Sequence, residues 1–141
     1  MKTPVHLWFV AVASLLWNLM GVVDYAMTQM HNPAYMAQFT PEQLAYFTSF
    51  PAWVVGFWAL AVWSALFGSV LLLMRRGAAV MVFALSFAAM VVTMFYNYVL
   101  SDVSFSSITG PETKWFSLAI FLAALGLWLY ARWMRKARVL R

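Results

Sequence analysis

Four long apolar segments, separated by short polar stretches, dominate the pattern of the chain. They cover about residues 5–29, 51–74, 78–100 and 114–133. A helix needs about 20 apolar residues to cross the hydrocarbon core of a bilayer, and each segment reaches that length. The pattern therefore predicts an all-α protein, an integral membrane four-helix bundle that forms a single domain over residues 1–141.

The connection between the first two segments carries helix signals of its own. Thr40 suits the N-cap of a helix, Pro41 suits its first position, and Gln43 lies where a capping box needs a glutamine. These signals predict a short interfacial helix over about residues 41–47. Asn32-Pro33 is a second pair of N-cap and proline, and it predicts one further helical turn.

Composition excludes several classes of protein. The chain is 65% hydrophobic and 9% charged, whereas soluble domains carry roughly 25% charged residues. It has no cysteine, which rules out disulfides, thiolate metal sites and thiol nucleophiles. Ser14, Ser64 and Ser86 have no histidine or lysine base nearby, so hydrolase chemistry has no support in the sequence. With no catalytic motif recognised, we expect no enzyme activity and no cofactor.

The positive charges are grouped next to the apolar segments. All of the nine Lys and Arg residues except Lys114 lie at the N-terminus, in the Arg75-Arg76 turn or in the C-terminal tail. Four crossings bring these three groups to one side, and the positive-inside rule predicts that both termini are cytoplasmic. The net charge of +5 then indicates contact with membrane lipids and not with nucleic acid. We expect a multi-pass protein of the bacterial inner (plasma) membrane.

Asp24 is the only acidic residue within an apolar segment. A carboxylate at membrane depth is costly and usually faces a bundle interior or a water-filled cavity. It is either structural, held by Tyr and Asn donors, or it binds a substrate, a cation or a proton. His31 lies seven residues later, so a metal or proton-relay pair would form only if the first helix extended that far. Two ligands make a poor metal site, and we expect none.

Other polar side chains share the depth of Asp24 near the outer end of the bundle. Aromatic faces mixed with hydrogen-bonding groups suit a small polar or amphiphilic ligand. Asn18 lies deeper and should hydrogen-bond a neighbouring helix, where Ser86 is the polar residue of similar depth on the third helix. The candidate ligand-binding residues are Asn18, Asp24, Tyr25, Thr28, Thr93, Tyr96 and Asn97.

Three stretches carry a resemblance to a known group. Leu16 to Tyr25, Phe39 to Gln43 and Phe50 to Trp53 resemble a group of small four-helix bacterial inner-membrane proteins, some of which are named sugar transporters. The resemblance implies a small four-helix membrane protein, and it assigns neither a mechanism nor binding residues. Small multidrug exporters are similar in having four helices and an acidic residue in the first. This chain differs from them in placing Asp24 near the outer end and in its long outer connection.

Two functions follow as hypotheses. The first is a non-enzymatic membrane protein that binds or moves a small solute or lipid-like ligand in the outer half of its bundle. A single four-helix bundle is narrow for transport, so this hypothesis expects a homo-oligomer. The second is an accessory subunit or assembly factor of a larger membrane complex, which would use the small-residue sides of the second and fourth helices as contacts.

Overall fold

The computed structural model describes residues 3–101, 105–110 and 112–141, and these residues form helices and no strand. The helices are α1 Val5–Gln29, α2 Pro33–Met36, α3 Pro41–Thr48, α4 Ala52–Leu73, α5 Ala79–Phe95, α6 Phe105–Thr109 and α7 Glu112–Lys136. A single π-helical turn, Tyr96–Leu100, extends α5.

Four helices are long and apolar enough to cross a membrane, as the pattern predicts: α1, α4, α5 with its π turn, and α7. Their bounds differ slightly from the predicted ones. The chain from Glu112 to Lys136 is helical, so α7 is longer at both ends than residues 114–133. The regular part of α5 stops at Phe95, and the connection after it contains α6 where only a loop was expected.

The predicted N-caps of the first connection are confirmed. The Thr40 hydroxyl accepts from the Gln43 amide and the Gln43 side chain accepts from the Thr40 amide, which completes the capping box of α3. The Asn32 side chain accepts from the backbone N–H of Tyr35 and starts α2. The connection between α1 and α4 is therefore a pair of locally capped helices, and its backbone direction is fixed by short-range hydrogen bonds.

Three helices end in the same way, with a non-glycine residue in the left-handed region. His31, Arg75 and Arg138 have φ of 52°, 57° and 60°. At each, the amide of that residue and the amide of the next one donate to carbonyls near the end of the helix, for example His31 N–H to Thr28 and Asn32 N–H to Met27. This is the Schellman arrangement, which usually employs glycine. In the Arg75-Arg76-Gly77 turn it is Arg75, and not Gly77, that has positive φ.

The long helices pack in series: α1 against α4, α4 against α5, and α5 against α7. Gly68 permits the close approach of α4 and α5, because a Cβ there would lie 2.8 Å from the ring of Phe83. Ala61 and Ser64 are also buried, as the small-residue spacing on α4 predicts. Within α7, which is described throughout, the buried residues are Ala131 and Met134. The first half of α7 is therefore largely uncovered.

The two ends of the bundle differ in composition. The end that holds the Arg75-Arg76 turn and the C-terminal tail is called the basic end. There Leu7, Leu72 and Leu140 join one buried cluster. The amide of Arg141 donates to the carbonyl of Arg75 at 2.9 Å, so the tail folds back onto the α4–α5 turn. The opposite end, which holds α2, α3 and the π turn, is called the aromatic end.

Candidate ligand-binding site at the aromatic end

Asp24 is bonded to the connection that lies over the aromatic end. The Tyr35 hydroxyl donates to Asp24 Oδ1. Tyr35 is the third residue of α2, so the N-cap at Asn32 sets the direction from which its ring reaches α1. Asp24 is nonetheless exposed. The carboxylate is thus held through one oxygen by a side chain of a short surface helix, and it is not enclosed in the bundle.

Aromatic rings join this pair to the rest of the aromatic end. Consecutive rings meet edge to face at centroid distances between 5.0 and 6.5 Å, a geometry that aromatic pairs favour. Phe50, between α3 and α4, contacts four rings of this set. We call the set the aromatic cluster; its members are Tyr25, Tyr35, Phe39, Tyr46, Phe47, Phe50, Trp53, Trp58 and Tyr96.

The π turn at the end of α5 supplies the other polar contact of this end. The Tyr46 hydroxyl donates to Asn97 Oδ1 at 2.6 Å, which ties α3 to α5. Asn97 lies in the π turn, where the extra residue changes the direction of side chains, a feature that recurs at functional sites. Within the described residues no hydrogen bond joins Asp24 to Tyr96 or Asn97. The predicted convergence is therefore indirect and passes through the aromatic cluster.

Two phenols in the cluster have no hydrogen-bond partner among the described residues. Tyr25 packs edge-on against Trp58 at 5.0 Å, and Tyr96 against Trp53 at 5.7 Å. Among those residues no buried side-chain polar atom lacks a partner, so both hydroxyls lie at accessible positions. With the free oxygen of Asp24, they are groups that can bond to something outside the chain.

Two predicted residues are already bonded within their own helices. The Thr28 hydroxyl donates to the backbone carbonyl of Asp24 at 2.8 Å, and the Thr93 hydroxyl to that of Met90 at 2.7 Å. Thr28 is buried and Thr93 half-buried. Their hydroxyls would have to leave these bonds to reach a ligand, so they contribute less to the site than Asp24, Tyr25 and Tyr96.

Asn18 lies in the middle of the bundle and away from the aromatic end. Its side-chain amide donates to Ser69 Oγ at 2.7 Å and to the Ala65 carbonyl at 3.1 Å. A bond to a neighbouring helix is confirmed, but the expected partner on α5 is wrong. Ser86 instead donates to the Ala61 carbonyl at 2.7 Å. The reason is that α1 packs against α4, so a polar group on α5 is not the one it faces.

Burial and charge raise the pKa of the tyrosines in the connection. For Tyr35 the largest cause is burial, followed by the bond to Asp24 and the negative charge of that carboxylate. Burial is also the main cause that raises the pKa of Tyr46. Both side chains therefore stay neutral hydrogen-bond donors at physiological pH.

Sequence reasoning missed Tyr35, Tyr46 and Phe50. Each lies in the connection, outside the apolar segments in which polar residues draw attention. One signal was present: the caps at Asn32 and Thr40 fix two helices whose aromatic residues must pack somewhere, and the nearest apolar surface is the end of the bundle. Which ring meets Asp24 and which meets Asn97 cannot be read from those caps.

His31 does not extend the site into a metal centre along α1. The helix ends at Gln29, and His31 takes the left-handed conformation in its cap, so the condition for a helical Asp24–His31 pair is not met. No group of three or more His, Cys, Asp or Glu side chains suited to a metal ion occurs in the part of the chain that the structure describes.

Comparison with known proteins gives no relative: no family model, no curated protein and no solved structure matches the chain.

Proposed function

We propose that the protein crosses the bacterial inner membrane four times, with its basic end and both termini in the cytoplasm, and binds or moves a small ligand at the aromatic end. The observation that carries the proposal is the exposed carboxylate of Asp24 at the end of the bundle where the aromatic cluster also holds two phenols, Tyr25 and Tyr96, that no described residue bonds. Binding or moving a ligand requires no covalent bond to be made or broken, so the proposal includes no catalysed reaction.

The chemistry of these groups favours an amphiphilic solute with a cationic group. Asp24 is the only acidic residue within the four apolar segments of the sequence, and aromatic faces attract cations to within about 6 Å of the ring centroid. The Tyr25 and Tyr96 hydroxyls add hydrogen bonds that orient a ligand. When no ligand is present, the Tyr35 hydroxyl is hydrogen-bonded to Asp24 Oδ1. The ligand therefore displaces this phenol or binds to the other carboxylate oxygen.

Binding of a labelled aryl phosphonium ion, tetraphenylphosphonium, to the purified full chain tests the proposal by equilibrium dialysis in detergent. In Asp24→Asn we expect an affinity at least about tenfold lower, because the charge attraction is lost. The matched control is Glu42→Gln, which removes the same charge from an exposed residue of α3 outside the aromatic cluster. Its affinity should stay within about twofold of the parent. Equal affinities of Asp24→Asn and the parent contradict the proposal.

Tyr35→Phe tests the role of the connection separately. Without the phenol, Asp24 no longer has an internal donor, and the affinity for the phosphonium ion should rise several-fold. A fall in affinity would show that the Tyr35 hydroxyl contacts the ligand and does not compete with it. Uptake into proteoliposomes then distinguishes binding from movement, and cross-linking in the membrane tests the homo-oligomer that movement would need.

A second candidate function is that of an accessory subunit in a larger membrane complex. It is favoured by the exposed surface of α7, where Trp115 and Phe116 are 74% and 59% exposed and a Cβ on Gly126 would meet no atom within 4 Å. Such a face accommodates a partner helix. Gentle extraction followed by mass spectrometry separates the two functions: a stoichiometric foreign partner supports this one, and a homogeneous homo-oligomer supports the first.

A further inference from the structure

The basic end contains a shallow depression that the proposed ligand site does not use. Its volume is about 250 Å³, and it is lined by Val80, Arg132, Arg135 and Lys136. The three cations follow one another at i, i+3 and i+4 on α7, so they share one face of the helix. This volume is below the about 300–1,000 Å³ of pockets that enclose a whole small molecule, which indicates a site for a headgroup and not for an entire ligand.

Two of the cations lie against neighbouring groups. The Arg132 guanidinium lies over the ring of Trp128, 5.2 Å from its centroid. The Arg135 Nε lies against the α4–α5 turn, 3.5 Å from where a Cβ on Gly77 would be. Val80 gives the depression an apolar wall. A pair of guanidinium groups beside an apolar wall matches a phosphate that is attached to a hydrophobic body.

None of the Asp and Glu side chains that the structure describes belongs to the basic end, where these cations lie. Asp24 lies in the last turns of α1, Glu42 in the first turn of α3 and Glu112 in the first turn of α7, all at the opposite end of the bundle. Like charges one turn apart on a helix repel each other. An external anion would remove this repulsion, and a basic cluster next to apolar spans commonly binds acidic lipid headgroups.

From these observations we infer that the depression between Val80 and the last turns of α7 binds the phosphate headgroup of an anionic phospholipid of the cytoplasmic leaflet. Arg132 and Arg135 hold the phosphate and Lys136 adds attraction at its rim. The acyl chains lie along the exposed apolar surface of α5 and α7. The site is separate from Asp24, so it can exist whether or not the aromatic end binds a solute.

Native mass spectrometry of the delipidated full chain tests this inference with dioleoylphosphatidylglycerol and dioleoylphosphatidylcholine as probes. The parent should form a one-to-one adduct with phosphatidylglycerol at concentrations where phosphatidylcholine forms none. In Arg132→Gln/Arg135→Gln the affinity should fall about 30-fold, at about 5-fold for each lost cation. All of the lining cations are exposed, so these variants should fold normally.

The matched control is Arg76→Gln/Arg138→Gln, which removes two charges from exposed residues of the same end that do not line the depression. It should keep most of the affinity for phosphatidylglycerol. An equal loss in both double variants would assign binding to overall charge and overturn the inference, as would equal binding of the two lipids. Glycerol 3-phosphate at the lipid's concentration should not compete; full competition would show a site for free phosphate compounds and not for a lipid.

Discussion

Helix α1 has one polar side chain in the middle of the bundle and another at the aromatic end, and the two differ in burial and in hydrogen bonding. Asn18 is buried and donates to both Ser69 Oγ and the Ala65 carbonyl on α4. Asp24 is exposed and has one bond, to a tyrosine of a short connecting helix. Six residues of α-helix rotate a side chain by about 600°, so the two point about 120° apart. One faces the neighbouring helix and the other does not.

This difference shows how to separate a structural polar group from a functional one in an apolar protein. In the middle, the side-chain amide nitrogen of Asn18 is bonded twice to the packed helix α4, so its hydrogens are not available to a ligand. At the aromatic end, the partner of Asp24 lies on the short helix α2 of the connection, and two phenols are without partners among the described residues. Four predictions test the contrast, beginning with the largest expected effect.

Gly68→Ala should destabilise the fold by about 1–3 kcal/mol through overpacking. The added Cβ would lie 2.8 Å from two ring carbons of Phe83, and Phe83 is 2% exposed, so its ring has little room to shift. The control is Gly56→Ala in the same helix, where a Cβ would meet no atom within 4 Å. The measurement is the thermal unfolding midpoint in detergent. Similar midpoints for both variants would show that α4 and α5 are less closely packed than in the structure.

Asn18→Leu should cost about 0.6–1.7 kcal/mol, the range of interhelical hydrogen bonds in membrane proteins. Both bonds from Asn18 to α4 are lost, while Ser69 keeps its own bond to the Ala65 carbonyl, at 3.0 Å. Ser14→Ala is the comparison, because the Ser14 hydroxyl donates to the Ala11 carbonyl of its own helix and its removal should change stability little. If Asn18→Leu left stability unchanged but weakened binding of the phosphonium ion, Asn18 would belong to the ligand site.

Asp24→Asn should change the free energy of unfolding by less than about 0.5 kcal/mol, as is usual for exposed positions. The asparagine carbonyl can still accept from Tyr35. The same unfolding assay gives the result, and paired with the binding experiment it separates the roles of the residue. A loss as large as that of Asn18→Leu, with ligand binding unaffected, would make Asp24 a structural residue.

Tyr35 should titrate above the ordinary tyrosine pKa, and Asp24→Asn should lower its pKa only partly, because burial is the largest cause of the shift. Since the pKa of Tyr35 is higher in the folded than in the unfolded chain, the contribution of Tyr35 to folding stability is fully present below about pH 10. It is lost as the pH rises through the folded pKa. The difference in phenolate absorbance between the parent and Tyr35→Phe measures this titration. A return to the ordinary value in Asp24→Asn would show that burial is not the main cause.

Much of the fold could be predicted because it depends on neighbours in sequence. The apolar lengths set the four long helices, and the Thr40 and Asn32 caps set the two short ones through bonds that span three residues. The site was predictable only in outline. Asp24 and the tyrosines stand out as polar groups near one end, but their hydrogen-bond partners are distant in sequence. Tyr35 lies 11 residues after Asp24, and Asn97 lies 51 residues after Tyr46.

The sequence by itself determined the four long helices, the caps of α2 and α3 and the separation of basic from acidic residues, since periodicity, chain length and local hydrogen bonds are properties of short stretches. Only the tertiary structure decided which helix Asn18 faces, which ring meets Asp24, and that Phe50 joins the aromatic cluster. Helix α4 is apolar on all sides, so its pattern does not specify which face meets α1. That choice depends on where small residues such as Gly68 let another helix approach, and it is made by packing over the whole bundle.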